Sequence, residues 1–131
     1  MAHQTTINIR GYHCDAYGHV NNARYLELFE EARWQALSDF GVDKRIAQLG
    51  LQFFVVNIQV DFKKPVLPKT TVLVKTSLHN IGRKTMTFLQ EIENEQGLAT
   101  KAEITFVLFN PSENKAVNVT DDLSQLFNVF N

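Results

Sequence analysis

The spacing of apolar and polar positions changes period several times along the chain, and each change marks an element. Over Thr5–Tyr12, Ile7 and Ile9 alternate with Thr6, Asn8 and Arg10, which predicts a short strand. Gly11 and Gly18 then bracket an aromatic and polar stretch that reads as a loop. From Asn22 the period becomes helical. Tyr25, Leu28, Phe29, Ala32 and Ala36 share a stripe that Leu26 and Leu37 widen, while Glu27, Glu30, Glu31 and Gln35 face elsewhere. Asn21 or Asn22 suits the N-cap, and Gly41 suits a stop after Phe40. Asp43–Leu49 adds a further helical turn or two, closed by Gly50.

Beyond Gly50 the period is two. Phe54, Val56, Ile58, Val60 and Phe62 fall on one face of a long strand, with Phe53, Val55, Asn57, Gln59 and Asp61 on the other. Pro65 and Pro68 end it. Thr70–Leu78 is a second strand of this series, followed by a turn at His79-Asn80-Ile81-Gly82. Arg83–Glu93 is a third, and Asn94-Glu95-Gln96-Gly97 a hairpin connection to a fourth, Leu98–Phe109. A polar turn follows around Pro111–Asn114. Leu123, Leu126, Phe127 and Phe130 fit a short terminal helix. Strand, long helix and four strands in this order predict an α+β domain with a five-stranded antiparallel sheet, the last four strands forming a meander. One helix cannot cover such a sheet from every side, so an apolar edge is expected to be buried in a dimer. Asn57 and Gln59 are then candidates for hydrogen bonds at the dimer seam.

Composition narrows the function classes. The 131 residues suit a single domain over 1–131. A formal net charge of −1 gives no field that draws the chain to nucleic acid or an anionic membrane. The longest apolar run is far short of a bilayer span, and Met-Ala-His-Gln-Thr-Thr is no signal peptide. The single cysteine, Cys14, excludes an internal disulfide framework and a zinc-binding Cys cluster. A cytoplasmic protein is the expectation. Ten Phe residues point to an aromatic core or subunit interface.

The chemistry concentrates in residues 13–25, His-Cys-Asp-Ala-Tyr-Gly-His-Val-Asn-Asn-Ala-Arg-Tyr. One carboxylate, Asp15, stands seven residues before a helix start at Asn22. A helix N-terminus offers unpaired N–H groups and partial positive charge, which can hold a carbonyl oxygen as it gains negative charge. A carboxylate beside it can attack that carbonyl or activate water. Acyl transfer is the chemistry these two parts allow. As a bland alternative, Asp15 is a turn residue before Gly18. Cys14 with His19 could form a thiolate–imidazole pair, though a lone Cys is more often a small buried side chain. His13, Asp15 and His19 match no strong metal signature.

The motif Asp15-Ala-Tyr-Gly-His-Val-Asn-Asn-Ala-Arg-Tyr25 and the element order resemble hotdog-fold thioesterases of the 4-hydroxybenzoyl-CoA thioesterase family. Arg10–His13, Val20–Glu27, Glu30–Trp34, Phe54–Ile58 and Ile104–Val107 are similar to its bacterial long-chain acyl-CoA thioesterases. The resemblance implies a sheet wrapped around a central helix and two subunits joined sheet to sheet, with active sites at their interface. It implies Asp15 as the catalytic carboxylate and the Asn22 backbone N–H as the oxyanion donor. Gly18 would permit the tight loop, and His19 would orient the loop or the thioester.

Acyl-CoA is the implied substrate, with no bound metal or cofactor, in a homodimer or homotetramer. Tyr25 is expected against the substrate. Arg83 and Lys84, with Lys63 and Lys64 as weaker candidates, could meet the CoA phosphates. A solvated basic turn is the bland reading of all four. Trp34, Phe53, Phe54, Phe62 and Phe88 are candidates for an acyl tunnel or ordinary core. Aryl-CoA esters, acyl-carrier-protein thioesters (met by a basic patch of Arg83, Lys84 and Lys101) and a non-catalytic acyl-CoA-binding role are the alternatives.

Overall fold

The computed structural model describes residues 2–131. β1 spans His3–Asn8 and ends earlier than its alternation suggests, because Gly11–His13 turns into a 3-10 helix. Ile9 still points inward and is buried, its N–H donating to the Thr70 carbonyl at 2.8 Å.

Helix α1, Asn22–Asp39, begins at Asn21, whose side-chain oxygen accepts from the Ala23 N–H at 2.9 Å. It ends at Gly41, whose φ of +71° suits a residue without Cβ. Gly41 also starts α2, Val42–Gln48. Tyr25, Leu28, Phe29, Ala32, Ala36 and Leu37 are buried as the helical stripe predicts. Leu26 is not, since it faces the open side of the molecule, and Arg33 is buried in its place.

β2 (Gln52–Phe62), β3 (Thr71–Ile81), β4 (Thr85–Asn94) and β5 (Gly97–Asn110) form with β1 one antiparallel sheet in the order β1-β3-β4-β5-β2. A two-residue strand β6, Lys115–Ala116, adds to β5. The meander holds for β3-β4-β5 only. β2 lies beyond β5, because the link to β3 carries Pro65 and Pro68 and crosses the end of the sheet instead of making a hairpin. β3 runs on to Ile81 through an irregularity between Leu78 and Asn80, so His79–Ile81 is strand, not turn. Arg83 and Lys84 therefore sit in the β3–β4 turn. Among the described residues no helix is long and apolar enough to cross a membrane.

The inner face of the sheet wraps α1, the hotdog arrangement. Phe88 and Phe106 pack at 4.9 Å between ring centres. Phe127 of α3 (Asp121–Phe127) and Phe130 of the following 3-10 turn close over them. The inner face also holds one polar knot. The buried Gln90 side chain donates to the Phe29 carbonyl (3.1 Å) and the Thr76 hydroxyl (2.9 Å), and accepts from Arg33 (3.0 Å). Burial pulls the Arg33 guanidinium below the usual arginine range, with Glu30 opposing. Gln90 is the one hydrogen-bond acceptor for that side chain among the described residues. Gln90→Leu strips it from a buried charge and should cost about 3 kcal/mol of stability. In urea unfolding the midpoint should drop with the slope unchanged.

The alternation along β2 breaks at a bulge between Val55 and Asn57. Phe53 and Val55 pair with Leu108 and Phe106, and Ile58, Val60 and Phe62 pair with Ile104, Ala102 and Thr100. All five partners are buried, so these β2 residues lie on the inner face and Phe54 on the outer. The single-phase strand of the sequence reading placed Phe54 with Ile58; the extra residue at the bulge shifts the phase. As the sheet's edge, β2 leaves Phe54, Val55, Val56, Ile58 and Phe62 between 38% and 56% exposed.

Candidate active site

Residues 13–21 fold as a small hairpin against the start of α1. Cys14 and Val20 bridge, the Asp15 N–H donates to the His19 carbonyl (2.9 Å), and the Gly18 N–H donates to the Asp15 carbonyl (3.1 Å). Gly18 closes the turn at φ +78°, which strains a residue with a side chain. The Asp15 carboxylate accepts from the Tyr17 N–H at 2.9 Å through Oδ1. That bond fixes the carboxylate and leaves Oδ2 without a protein partner among the described residues.

The base of the hairpin is tied on both sides. The Asn21 N–H donates to the His13 carbonyl (2.8 Å), and the Val20 N–H donates to the Val66 carbonyl (2.9 Å). The latter bond links the hairpin to the β2–β3 connection, where Val66 is fully buried. The first N–H groups of α1 are then allocated. Asn21 takes that of Ala23 through its side chain and that of Arg24 through its carbonyl. The Asn22 N–H has no protein acceptor among the described residues. A cleft of about 240 Å³ lies here, lined by Asp15, His19, Asn22, Tyr25, Phe62, Lys63 and Lys64, with Val20 and Pro65 beneath.

The structure thus brings together four of the residues singled out in the sequence: Asp15, His19, Asn22 and Tyr25. Gly18 stands in the turn behind them. Tyr25 is buried with its ring 5.1 Å from that of Phe62, and burial raises its phenol pKa, so it enters as a neutral wall. Lys63 and Lys64 are the cations at this cleft; the Lys64 ammonium is held by the Gln96 carbonyl at 2.6 Å. Arg83 and Lys84 are not there. Thr85, next to them, pairs with Val107, whereas the cleft lies level with Ile92 and Thr100. Seven residues of β4 put about 23 Å between the two levels.

His13 is tied behind the hairpin, its Nδ1 accepting from the Arg10 N–H at 2.8 Å. Burial first, then the Arg24 and Arg10 charges, lower its pKa below the ordinary 6.5, against Glu27. A folded chain that binds a proton less readily than the unfolded one loses stability as pH falls below about 6.5. Above that pH the contribution is complete. His13→Asn should flatten this acid limb of the stability curve, and NMR titration should find the His13 midpoint below the ordinary 6.5.

The Cys14 thiol donates to the Arg10 carbonyl (3.8 Å), and among the described residues it makes no hydrogen bond to the His19 ring. No group of three or more His, Cys, Asp or Glu side chains among the described residues could hold a metal ion.

The sequence matches the thioesterase-like superfamily over residues 9–127. It is 36% identical over 124 residues to the long-chain acyl-CoA thioesterase FadM of Escherichia coli, covering 93% of this chain and 94% of that one. The crystal structure of YbaW, a probable thioesterase from Escherichia coli, superposes with a TM-score of 0.91 at 34% identity over 97% of both chains. That of Slr0204, a 1,4-dihydroxy-2-naphthoyl-CoA thioesterase from Synechocystis, superposes with a TM-score of 0.83 over 97% of this chain and 96% of that one. Its identity of 18% speaks to the fold alone.

Proposed function

The chain belongs to the thioesterase-like superfamily, and from that premise we propose that it hydrolyses medium- to long-chain acyl-CoA to a free fatty acid and CoA. One observation carries the proposal: a single cleft holds the Asp15 carboxylate, with one oxygen uncommitted, and the uncommitted N–H of Asn22. The thioester carbonyl seats with its oxygen toward the Asn22 N–H at the positive end of α1. Asp15 then activates water to attack the carbonyl carbon, or attacks it directly to give an anhydride that water hydrolyses; in either route the C–S bond breaks and the thiolate leaves, taking up a proton as CoA. Lys63 and Lys64 flank the mouth, where the anionic CoA passes. The relative FadM acts on long-chain acyl-CoA by name, which favours an aliphatic substrate.

In this reading the enzyme is a cytoplasmic dimer joined through β2. That edge leaves five apolar side chains in water, and its unpaired N–H and C=O groups accept a second strand.

The test is CoA release from esters running from acetyl-CoA to oleoyl-CoA, with benzoyl-type esters beside them. Turnover rising toward the longer chains is expected. A maximum on aryl esters would keep the chemistry and move the substrate. Tight binding without CoA release from any ester would replace the enzyme by a binding protein.

A further inference from the structure

A charge that leaves water loses its hydration, so buried charges are as a rule paired. Arg33 departs from that rule. It is 6% exposed, and Gln90 is the one acceptor its guanidinium has among the described residues. No carboxylate among them stands within ion-pair distance of it. A guanidinium carries several N–H donors and stays charged at neutral pH. The remaining donors are not sealed in protein, since the Thr100 hydroxyl is the one buried side-chain polar atom without a partner among the described residues. They reach a small cleft of about 160 Å³ lined by Glu30, Arg33, Trp34, Leu37, Phe53 and Val55. The exposed Glu30 is the only other charge on its walls.

This cleft and the Asp15 cleft lie along one line. Asn22, Leu26, Glu30, Arg33 and Leu37 follow one another at helical spacing and form one stripe of α1. At its start the stripe meets Phe62, the last residue of β2, and further on Val55 and Phe53. Between the two clefts Leu26 and Ile58 are 41% and 38% exposed, which leaves an apolar strip open. From Asn22 to Arg33 the helix rises about 17 Å, the span of an extended acyl chain of medium length.

We propose that a thioester held at Asp15 and Asn22 sets a second, terminal carboxylate against Arg33 of the same chain, so that CoA esters of straight-chain dicarboxylic acids are substrates. The inference rests on the thioesterase reading above and adds a charge at the far end of its acyl group. The reaction keeps its balance: the C–S bond breaks, water supplies the new carboxyl oxygen, and the diacid leaves beside CoA. The terminal carboxylate completes the ion pair that the chain itself leaves open.

The wild-type protein should hydrolyse dodecanedioyl-CoA with a kcat/KM at least equal to that on dodecanoyl-CoA. A lower value on the diacid ester would overturn the proposal. Hexanedioyl-CoA is too short to reach Arg33 and should fall behind hexanoyl-CoA; an equal preference at this length would credit Lys63 and Lys64 and overturn it too. Glu30→Gln removes the competing anion from an exposed position and should raise the ratio of dodecanedioyl to dodecanoyl turnover about threefold. Arg33→Met combined with Gln90→Met replaces the polar pair by apolar side chains and should lower that ratio about a hundredfold. An unmoved ratio in Glu30→Gln, or in a folded double variant, counts against the site. If the double variant fails to fold, Glu30→Gln and the wild-type ratios decide.

Trp34 is the sole tryptophan, lines the cleft and reports binding without turnover. Its emission should respond to a lower concentration of S-(ω-carboxydodecyl)-CoA than of S-dodecyl-CoA, thioethers with no acyl bond to cleave. If that preference appears while no ester releases CoA, hydrolysis fails and the carboxylate site stands. CoA release from both esters with no preference in either readout leaves hydrolysis intact and removes the site.

Discussion

Replacing Asp15 with Asn should lower kcat for CoA release by about a thousandfold and leave KM within a few-fold. The side chain sits at a hairpin turn and is exposed, so the amide fits without repacking. Its Oδ1 can still accept from the Tyr17 N–H. What changes is the uncommitted oxygen, which becomes an amide group able neither to take a proton from water nor to attack a carbonyl. Binding, which draws on the apolar walls and the flanking cations, is retained. The split between kcat and KM is therefore the signature to read, with an unchanged unfolding midpoint as the control. Turnover unaffected by the substitution would remove Asp15 from the chemistry. Single turnover in heavy-oxygen water then separates the routes, since label enters the Asp15 carboxylate only if Asp15 attacks the carbonyl.

Val56→Lys should weaken self-association by about a hundredfold or more, the equivalent of burying an unpaired charge. Val56 occupies the β2 bulge and is 56% exposed, so a lysine costs an isolated chain little. In a two-fold pairing centred on Asn57, position 56 lies opposite Ile58 of the second copy, and the two introduced ammonium groups stand as diagonal neighbours within the seam. Light scattering should find a species of one chain mass, 15.0 kDa, where the wild type shows a multiple of it. Long-chain turnover should fall in step with dissociation and recover at high protein concentration. A Val56→Lys protein that stays assembled would move the interface away from this edge. A monomer with full long-chain activity would sink the shared site.

Much of the fold is legible in the sequence because period and punctuation agree there. The stripe from Tyr25 to Ala36, the Asn21 cap and the Gly41 stop all point to one helix, and the structure holds it at Asn22–Asp39. Where they disagree, the sequence misleads. Phe53, Phe54, Val55 and Val56 are all apolar, so no change of residue type marks the bulge that reverses their faces. Arg33 reads as a surface residue of a charged helix. Its burial depends on Gln90, which is 57 positions away and itself polar.

The candidate site divides the same way. Asp15, His19, Asn22 and Tyr25 lie within one continuous stretch, so local structure suffices to gather them. Lys63 and Lys64 join through the crossing link between β2 and β3, a long-range event that composition does not announce. The prolines flanking that link were the available signal, since they forbid a hairpin there. Arg83 and Lys84 illustrate the converse: only the sheet order reveals that this basic pair stands at the end of β4 away from the cleft of its own chain.

The two borders of the sheet differ in kind. β1, at the border opposite β2, is a strand of six residues whose exposed positions are Gln4, Thr6 and Asn8, all uncharged and polar. Joining two copies through β2 therefore consumes both sticky borders at once and leaves a wetted strand at each end of the combined sheet. Such an assembly is self-limiting: it terminates at a closed pair and offers no template on which fibrils could grow. Any larger particle would then be built by stacking faces, under separate control from a union through β2.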